Sequence, residues 1–157
     1  MSERILIPLD GSKVGEAALR YVEGLVSRLA PGAKVEVTLF HVVTALKHDV
    51  QISGGGAGVI TVPYSESELE QMKVDAMKYL EEVGENLRNK GATVLSKVST
   101  GQNPAAEIIK AEEEYNADLV AMSTHGRAGI SRWAFGSVTD KVLRGGKVPV
   151  LMVRAAQ

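Results

Sequence analysis

The sequence predicts an α/β fold: a single domain built on a parallel sheet of five strands, with helices on both faces. Short apolar segments alternate along the chain with longer segments in which apolar residues recur at helical spacing. This alternation is typical of parallel sheets, whose strands are joined by right-handed helical crossovers. The 157 residues, 45% of them hydrophobic, are the size of one domain with a substantial core.

Each strand and helix has a local signal in the sequence. The apolar segments predict strands at residues 5–9, 34–43, 93–99, 119–122 and 148–153. Helical periodicity predicts helices at residues 18–29, 67–89, 104–115 and 138–144. Pro31 and Gly32 end the first helix and Gly91 ends the second, while Asn103 and Pro104 provide an N-cap and a first-turn proline for the third. The second helix carries its apolar face on Leu69, Met72, Ala76, Leu80, Val83 and Leu87.

Residues 45–65 separate the second strand from the second helix and are too many for a simple connection. The segment contains Gly54, Gly55, Gly56 and Gly58, which permit many backbone conformations and contribute no side chains to a core. We expect a flexible, disordered insert here. The alternative is a mobile lid beside a ligand site.

The loop after the fourth strand has the pattern of an anion-binding site. Ser123 follows the strand, Gly126 lies in the loop, and after nine further residues Gly136 and Ser137 open a helix. Glycines let the backbone approach a ligand closely, and the free N–H groups of a helix N-terminus attract phosphate. Ser137 and Asp140 also match an N-cap box, which supports a helix start here. The alternative is an ordinary connection in which the glycines only form tight turns.

Ligands of parallel α/β sheets bind beyond the carboxyl ends of the strands, where the winding of the sheet reverses. Three segments are expected to meet there: residues 8–10, 41–43 and 122–126. Asp10 places a carboxylate at one lip, opposite the glycine loop, and this combination suits a nucleotide with Asp10 towards its base or ribose. A helix N-cap explains Asp10 equally well, because aspartate is common at helix starts.

Composition excludes several classes of function. Lysine and arginine (18) nearly balance aspartate and glutamate (19), so no basic excess indicates a nucleic-acid or membrane-surface partner. No apolar run is long enough to span a bilayer, and the N-terminal segment becomes acidic too early for a signal peptide. The absence of cysteine excludes disulfides, thiolate zinc sites and cysteine nucleophiles, and we expect a cytoplasmic protein.

The chain shows no pattern of catalytic residues. His41, His48 and His125 have neither metal-ligand spacing nor accompanying carboxylates, so no metal site is predicted. The sequence also lacks a nucleophile elbow and a Walker A lysine motif. We therefore expect a binding protein rather than an enzyme, with slow hydrolysis of a bound nucleotide as the alternative.

Four segments together resemble the universal stress protein family: residues 5–12, residues 39–43, the loop from Gly126 to Ser137, and residues 148–154. The resemblance covers essentially the whole chain, with its elements in the same order. It implies a Rossmann-like parallel sheet in the order 3-2-1-4-5, and a homodimer formed through the fifth strand, Val148 to Val153. The ATP-binding branch of the family carries the motif Gly-x-x-Gly, nine residues, Gly-Ser/Thr.

By this resemblance, the candidate nucleotide-binding residues are those that match the family's site. They are Pro8, Leu9, Asp10, Val42, Met122, Ser123, Thr124, His125, Gly126, Arg127, Gly129, Gly136, Ser137, Val138 and Thr139. Asp10 and the backbone at Val42 match positions that hold adenine, and the glycine motif matches the part that binds ribose and phosphates. The implied cofactor is ATP with Mg²⁺ or Mn²⁺.

One position departs from the family motif, because Ser123 replaces its first glycine. We expect the Ser123 hydroxyl to hydrogen-bond the ribose, and the alternative is that its Cβ obstructs the sugar. AMP and cyclic AMP therefore compete with ATP as the bound nucleotide. The resemblance implies a nucleotide-binding regulatory protein of the stress response; a slow ATPase and a nucleotide-free dimeric interaction scaffold are the alternatives.

Overall fold

The computed structural model describes residues 2–29, 32–44, 47–52, 54, 58–124 and 136–155 of the chain. The strands in these residues are β1 (Ser2–Pro8), β2 (Lys34–Val43), β3 (Lys47–Ile52), β4 (Gly58–Pro63), β5 (Thr93–Thr100), β6 (Leu119–Ser123) and β7 (Val150–Val153). The helices are α1 (Ala17–Leu29), α2 (Glu66–Val83), α3 (Glu85–Asn89), α4 (Pro104–Glu114) and α5 (Ser137–Gly145). None of these helices is both long enough and apolar enough to cross a membrane.

Five of the strands form one parallel sheet in the order β5-β2-β1-β6-β7. Numbered along the chain without β3 and β4, this is the predicted order 3-2-1-4-5. In the middle of the sheet, Ile5 of β1 lies opposite Val37 of β2 and Leu119 of β6. The predicted α/β fold with a five-stranded parallel sheet is therefore confirmed.

Two hydrophobic cores cover the two faces of this sheet. Strand β1 contributes to both by alternation, with Ile5 and Ile7 in the first core and Leu6 in the second. All three are at most 1% exposed. Val22 of α1 joins the first core and Val142 of α5 joins the second. Burial of such an aliphatic side chain contributes about 1.5–3 kcal/mol, which explains why β1 is apolar on both faces.

The helix predicted over residues 67–89 is interrupted at Gly84. It begins earlier than predicted, at a capping box in which Glu68 N–H donates to Ser65 Oγ (3.3 Å) and Ser65 N–H donates to Glu68 Oε2 (2.7 Å). Gly84 is buried, and a Cβ at this position would lie 3.0 Å from Cδ1 of Leu39. The glycine lets the chain lie close against the sheet between α2 and α3.

The prediction of a disordered insert at residues 45–65 is wrong for the residues described. Strands β3 and β4 pair antiparallel in this segment, with Val50 opposite Ile60, and they form a sheet of their own. The neighbouring pair, Asp49 and Thr61, lies on the other face of the hairpin from Val50 and Ile60, and there the Thr61 hydroxyl donates to Asp49 Oδ1 at 2.8 Å. Side chains alternate between a mainly apolar face, formed by His48, Val50, Ile52, Ile60 and Val62, and a more polar one. Backbone pairing and β-branched residues thus outweigh the glycines.

The start of α4 is as predicted. Asn103 Oδ1 accepts the N–H of Ala106 at 3.1 Å, and Pro104 is the first helical residue. A side-chain cap of this kind stabilises a helix by about 1 kcal/mol.

The last strand, β7, begins at Val150 rather than at the predicted Val148. Pro149 precedes it and has no N–H to donate to a ladder. Its carbonyl accepts the N–H of Val120 at 2.9 Å, so the chain is already beside β6 at this point. Strand β7 pairs with β6 and is the last strand on its side of the main sheet.

Candidate functional site

A cleft of about 610 Å³ opens at the carboxyl ends of β1, β2 and β6. This volume is typical of small-molecule sites. It lies where the sheet order reverses, since β1 pairs with β2 on one side and β6 on the other. The predicted nucleotide-binding residues that line it are Pro8, Leu9, Asp10, Val42, Met122, Ser123, Val138 and Thr139. The structure thus brings together three strand ends and the start of α5.

Some predicted residues lie outside this lining. Thr124 faces β7, because its N–H donates to the Val153 carbonyl at 2.8 Å and its Oγ1 accepts from the Ala155 N–H at 3.4 Å. Gly136 and Ser137 immediately precede the lining residues of α5. The predictions for four further residues lie outside the described part of the chain: His125, Gly126, Arg127 and Gly129.

Hydrogen bonds between the ends of β1 and β2 form one lip of the cleft. The Leu9 N–H donates to the Phe40 carbonyl at 2.8 Å, and His41 Nδ1 lies 2.8 Å from the Leu9 carbonyl. Because a carbonyl oxygen only accepts, His41 Nδ1 carries a hydrogen and donates. These bonds fix the two strand ends relative to each other, and with them the positions of Leu9 and Val42.

Asp10 lies in a tight turn at the cleft and is not the N-cap of α1. Its Oδ1 accepts from the Ser12 N–H at 2.9 Å and from the Ser12 hydroxyl at 2.6 Å, which is the geometry of an Asx turn. The helix begins later, at Ala17. A Cβ on Gly15 would lie 2.6 Å from Asp10 Oδ1, so the turn closes tightly around the carboxylate. The N-cap interpretation of Asp10 is therefore wrong.

Ser123 ends β6 with its hydroxyl bonded inside the protein. The hydroxyl donates to the Gly15 carbonyl at 2.8 Å and accepts from the Ala18 N–H at 2.8 Å. Since a hydroxyl has one hydrogen, this group is not available in the structure as a donor to ribose. Its partners are 108 and 105 residues away in the chain, so no local pattern could have predicted them.

The start of α5 differs from the predicted N-cap box. Gly136 is the N-cap, with φ 84° and ψ 145°, and Ser137 is the first helical residue. Asp140 instead accepts from Arg144 Nε at 2.9 Å. Among the described residues no side chain caps this helix, and the N–H groups of its first turn have no partner within the helix itself. Together with the helix dipole, they make this end of the cleft attractive to anions.

One wall of the cleft comes from α2 and was not predicted as part of the site. Its lining residues, Met72, Asp75, Ala76 and Tyr79, have the spacing of one helical face. The sequence predicts Met72 and Ala76 on the apolar face of this helix. The sequence does contain a signal for this wall, because Asp75 and Tyr79 place polar groups beside Met72 and Ala76 on the same side of the helix. His41 and Val43, in the segment 41–43 that the sequence places at this edge of the sheet, also line the cleft. Sequence reasoning missed Gly11, Gly15, Phe40, Thr44, Pro104 and Ile108.

The hydroxyl of Tyr79 is the most informative group on this wall. It is buried, and it has no hydrogen-bond partner among the described residues. Burial, with a smaller effect of the negative charges of Glu16 and Asp10, raises the pKa of Tyr79 to about 12. The phenol therefore keeps its hydrogen at neutral pH; the residue lines the cleft, while its hydroxyl is covered by protein atoms and has no acceptor among the described residues.

The two sides of the cleft carry opposite charge: carboxylates lie on the side of α2, and the positive end of a helix dipole lies on the side of α5. α2 packs into the first core through Leu80, and it brings Asp75 to the cleft beside the β1 turn that carries Asp10. α5 packs into the second core through Val142, and it brings the partial positive charge of its N-terminus. Between them lie apolar side chains such as Met122. This arrangement suits a ligand with an apolar middle, hydrogen-bond donors at one end and negative charge at the other.

Comparison with known proteins gives a family for the whole chain. The model of the universal stress protein family matches residues 1–154. A universal stress protein of Methanocaldococcus jannaschii is 31% identical over 160 aligned residues, which cover 98% of this chain and 96% of that protein. The solved structure of the same protein has a TM-score of 0.71 over 99% of this chain and 97% of its own, with 24% identity in the structural alignment.

Two further solved universal stress proteins were determined with an adenine nucleotide. One, in complex with cAMP, has a TM-score of 0.59 and 20% identity over 98% of both chains. The other, from Arabidopsis thaliana with AMP bound, has a TM-score of 0.63 and 16% identity over 98% of this chain and 92% of its own. At these identities the likeness shows a shared fold.

Proposed function

We propose, because the chain belongs to the universal stress protein family, that it is a regulatory protein whose cleft binds an adenine nucleotide. In this proposal the nucleotide alters the surface of a homodimer joined through β7, and the dimer acts in a stress response. A cytoplasmic location stays a prediction from the sequence.

The opposed polarity of the cleft is the observation that carries this proposal. Adenine presents an amino group and ring nitrogens, for which Asp10 supplies an acceptor, and in this proposal the covered Tyr79 hydroxyl becomes a donor to the base when the nucleotide binds. The phosphates carry the negative charge that the uncapped start of α5 favours. The apolar side chains between the two ends suit the faces of the base and ribose.

The form of nucleotide that we propose is ATP with Mg²⁺ or Mn²⁺, with AMP and cyclic AMP as the competing forms. In the described residues no three histidine, aspartate or glutamate side chains cluster as metal ligands. A cation would then be held mainly by phosphate oxygens and water, as is usual for Mg²⁺ with nucleotides. The relatives solved with cAMP and AMP support the competing forms.

We propose binding rather than catalysis, with slow ATP hydrolysis as the second candidate. The two polar side chains at the ends of β1 and β2 each use one polar atom to hold the fold. Asp10 Oδ1 accepts two bonds from Ser12, and His41 Nδ1 donates to the Leu9 carbonyl. Among the described residues, Asp10 Oδ2 and His41 Nε2 keep free lone pairs, but both residues lie at the ends of β1 and β2. In this proposal the phosphates bind at the start of α5, so neither group is assigned as a general base for the attacking water. Turnover of saturating ATP over hours distinguishes the two candidates.

The proposed function is tested by identifying the nucleotide and measuring its affinity. Protein purified from cells is denatured, and the released small molecules are identified by mass spectrometry. Calorimetry on nucleotide-free protein then compares ATP, with and without Mg²⁺ or Mn²⁺, with AMP, cyclic AMP and GTP as a control. We expect an adenine nucleotide to be released and to bind more tightly than GTP. No released adenine nucleotide and no measurable binding of ATP, AMP or cyclic AMP would overturn the proposal.

Tyr79→Phe is expected to weaken adenine-nucleotide binding about fivefold while the protein stays folded. The change removes one hydrogen bond to the ligand, worth about 1 kcal/mol. It also removes a buried hydroxyl that has no partner among the described residues, so the free energy of unfolding should not fall. Calorimetry and urea unfolding measure the two effects. Tyr21→Phe, on the exposed side of α1, is the matched control. Equal affinities for Tyr79→Phe and wild type would remove Tyr79 from the site.

A further inference from the structure

We propose that Ser123 is a positioning residue: through a chain of hydrogen bonds, its hydroxyl fixes the turn that presents the Asp10 carboxylate to the cleft. This inference rests on the proposed function, because it assigns Asp10 a role in holding the nucleotide. It also gives a reason for the serine at a position where the nucleotide motif of the family has glycine.

The first link joins the end of β6 to the start of α1. Ser123 Oγ accepts the Ala18 N–H at 2.8 Å, and Ala18 lies in the first turn of the helix. The N–H groups of a first turn have no partner within their own helix. Ser123 therefore does from a neighbouring strand what an N-cap side chain does from the preceding residue. The same hydroxyl donates to the Gly15 carbonyl at 2.8 Å, so it holds both the helix and the turn before it.

The next links run from Gly15 to Asp10. The Gly15 N–H donates to Ser12 Oγ at 3.0 Å, and the Ser12 hydroxyl donates to Asp10 Oδ1 at 2.6 Å. The Ser12 N–H donates to the same carboxylate oxygen at 2.9 Å. Each donor in this series of hydrogen bonds has a single hydrogen, and that hydrogen is bonded to the next acceptor. The direction of every bond from Ser123 to Asp10 is therefore fixed.

Close packing makes the position of Asp10 depend on this chain. A Cβ on Gly15 would lie 2.6 Å from Asp10 Oδ1 and 3.2 Å from Ser12 Oγ, so the Gly15 backbone lies directly against the carboxylate. Movement of Gly15 therefore moves the group that holds Asp10. With Oδ1 bonded to Ser12, Oδ2 is left for the ligand; it has no hydrogen bond within the described residues. Alanine at position 123 leaves the Gly15 carbonyl and the Ala18 N–H without this partner.

The test is a double-mutant cycle between positions 123 and 10. Adenosine affinity is measured by calorimetry for wild type, Ser123→Ala, Asp10→Ala and the double variant. Adenosine is the probe because it lacks the phosphates that α5 attracts. We expect Ser123→Ala to weaken adenosine binding roughly fivefold in the wild-type background and less than twofold in the Asp10→Ala background. A purely structural role for Ser123 predicts the same loss in both backgrounds, and that result would overturn the proposal.

Two further variants keep the test decisive. Ser123→Thr retains the hydroxyl and is expected to restore most of the affinity. Ser12→Ala breaks the chain beside Asp10 at an exposed position, without touching the helix, and is expected to weaken adenosine binding to a similar extent. If Ser123→Ala does not fold, Ser12→Ala tests the proposal alone, since unchanged adenosine affinity in Ser12→Ala would refute a role for these hydrogen bonds in binding. Ser27→Ala, whose hydroxyl donates to the Glu23 carbonyl on the same helix, is the matched control and should bind normally.

Hydrogen exchange separates failure of this inference from failure of the proposed function. In ligand-free protein, the Ala18 amide is expected to exchange at least tenfold faster in Ser123→Ala than in wild type, whether or not any nucleotide binds. Unchanged exchange would show that the hydroxyl does not hold the helix, and the inference would fail. If wild type binds no adenine compound while this exchange effect is present, the proposed function fails, and the role of Ser123 in binding fails with it.

Discussion

A variant with Met152→Pro is expected to be monomeric in light scattering under conditions in which the wild type is a dimer. β7 lies at the edge of the main sheet and is the strand through which we propose that the homodimer forms. A proline removes one backbone donor from that edge. Because a twofold axis makes every hydrogen bond between the two β7 strands occur twice, one substitution removes two hydrogen bonds from the dimer.

The choice of Met152 follows from the hydrogen bonds on the inner side of β7. The Pro149 carbonyl accepts from the Val120 N–H, and the Val153 carbonyl accepts from the Thr124 N–H. Backbone groups alternate in direction along a strand, so those of Val150 and Met152 point away from β6. They form the unpaired edge to which a second β7 would bind.

Two controls separate the effect of the lost backbone N–H at the β7 edge from the effects of the lost side chain and of a proline elsewhere in the sheet. Met152→Ala keeps the N–H and should remain a dimer, whereas a monomer here would assign the effect to lost side-chain packing. Thr100→Pro places a proline at the end of β5, on the opposite edge of the sheet, and should also remain a dimer. A Met152→Pro protein that retains the mass of the wild type would show that the interface lies elsewhere.

Gly136→Val is expected to weaken ATP binding roughly a hundredfold, about 2.7 kcal/mol. Gly136 has a φ of 84°, a conformation that a β-branched residue strongly disfavours. Valine would therefore rotate the backbone at the N-cap of α5 and move the N–H groups of its first turn away from the phosphates. Each such bond to a charged group contributes about 1.5–3 kcal/mol. Calorimetry with ATP and with adenosine measures the loss, which should be much smaller for adenosine.

The control for backbone strain is Gly91→Val. Gly91 also has a positive φ, 98°, and a Cβ there meets no atom within 4 Å, so the substitution adds strain without steric conflict. Its turn between α3 and β5 does not line the cleft. We expect both variants to lose stability in urea and only Gly136→Val to lose ATP affinity. Equal ATP affinities in the two variants would remove the start of α5 from the phosphate site.

The sheet and the strand-end residues of the cleft could be predicted because their signals are local. Residues 5–9 and 119–122 are apolar at every position, as burial on both faces requires, and helical segments separate them. Once the strands are parallel, their carboxyl ends share one edge. This shared edge predicts, without information on side-chain contacts, that one site contains Pro8, Leu9, Asp10 and Met122.

The remaining features depend on contacts that have no local pattern. The α2 wall is apolar enough to be taken for a core face, and only the position of the helix beside β2 decides that Met72 and Tyr79 face the cleft. The bonds of Ser123 cross more than 100 residues of sequence. At the start of α5, Ser137 has the right chemistry for a cap, but the positive φ of Gly136 moves the cap one residue earlier.

The hairpin of β3 and β4 lies outside the strand pairing of the main sheet, so its sequence can change while that pairing stays the same. Its two strands pair with each other and form a sheet separate from the five strands that set the cleft. Residues exchanged within it leave the registers of β1, β2 and β6 unaltered. Substitutions can therefore accumulate here at a different rate from the strand ends, and two descendants of one ancestor can diverge in this segment while the main sheet keeps the same strand ends.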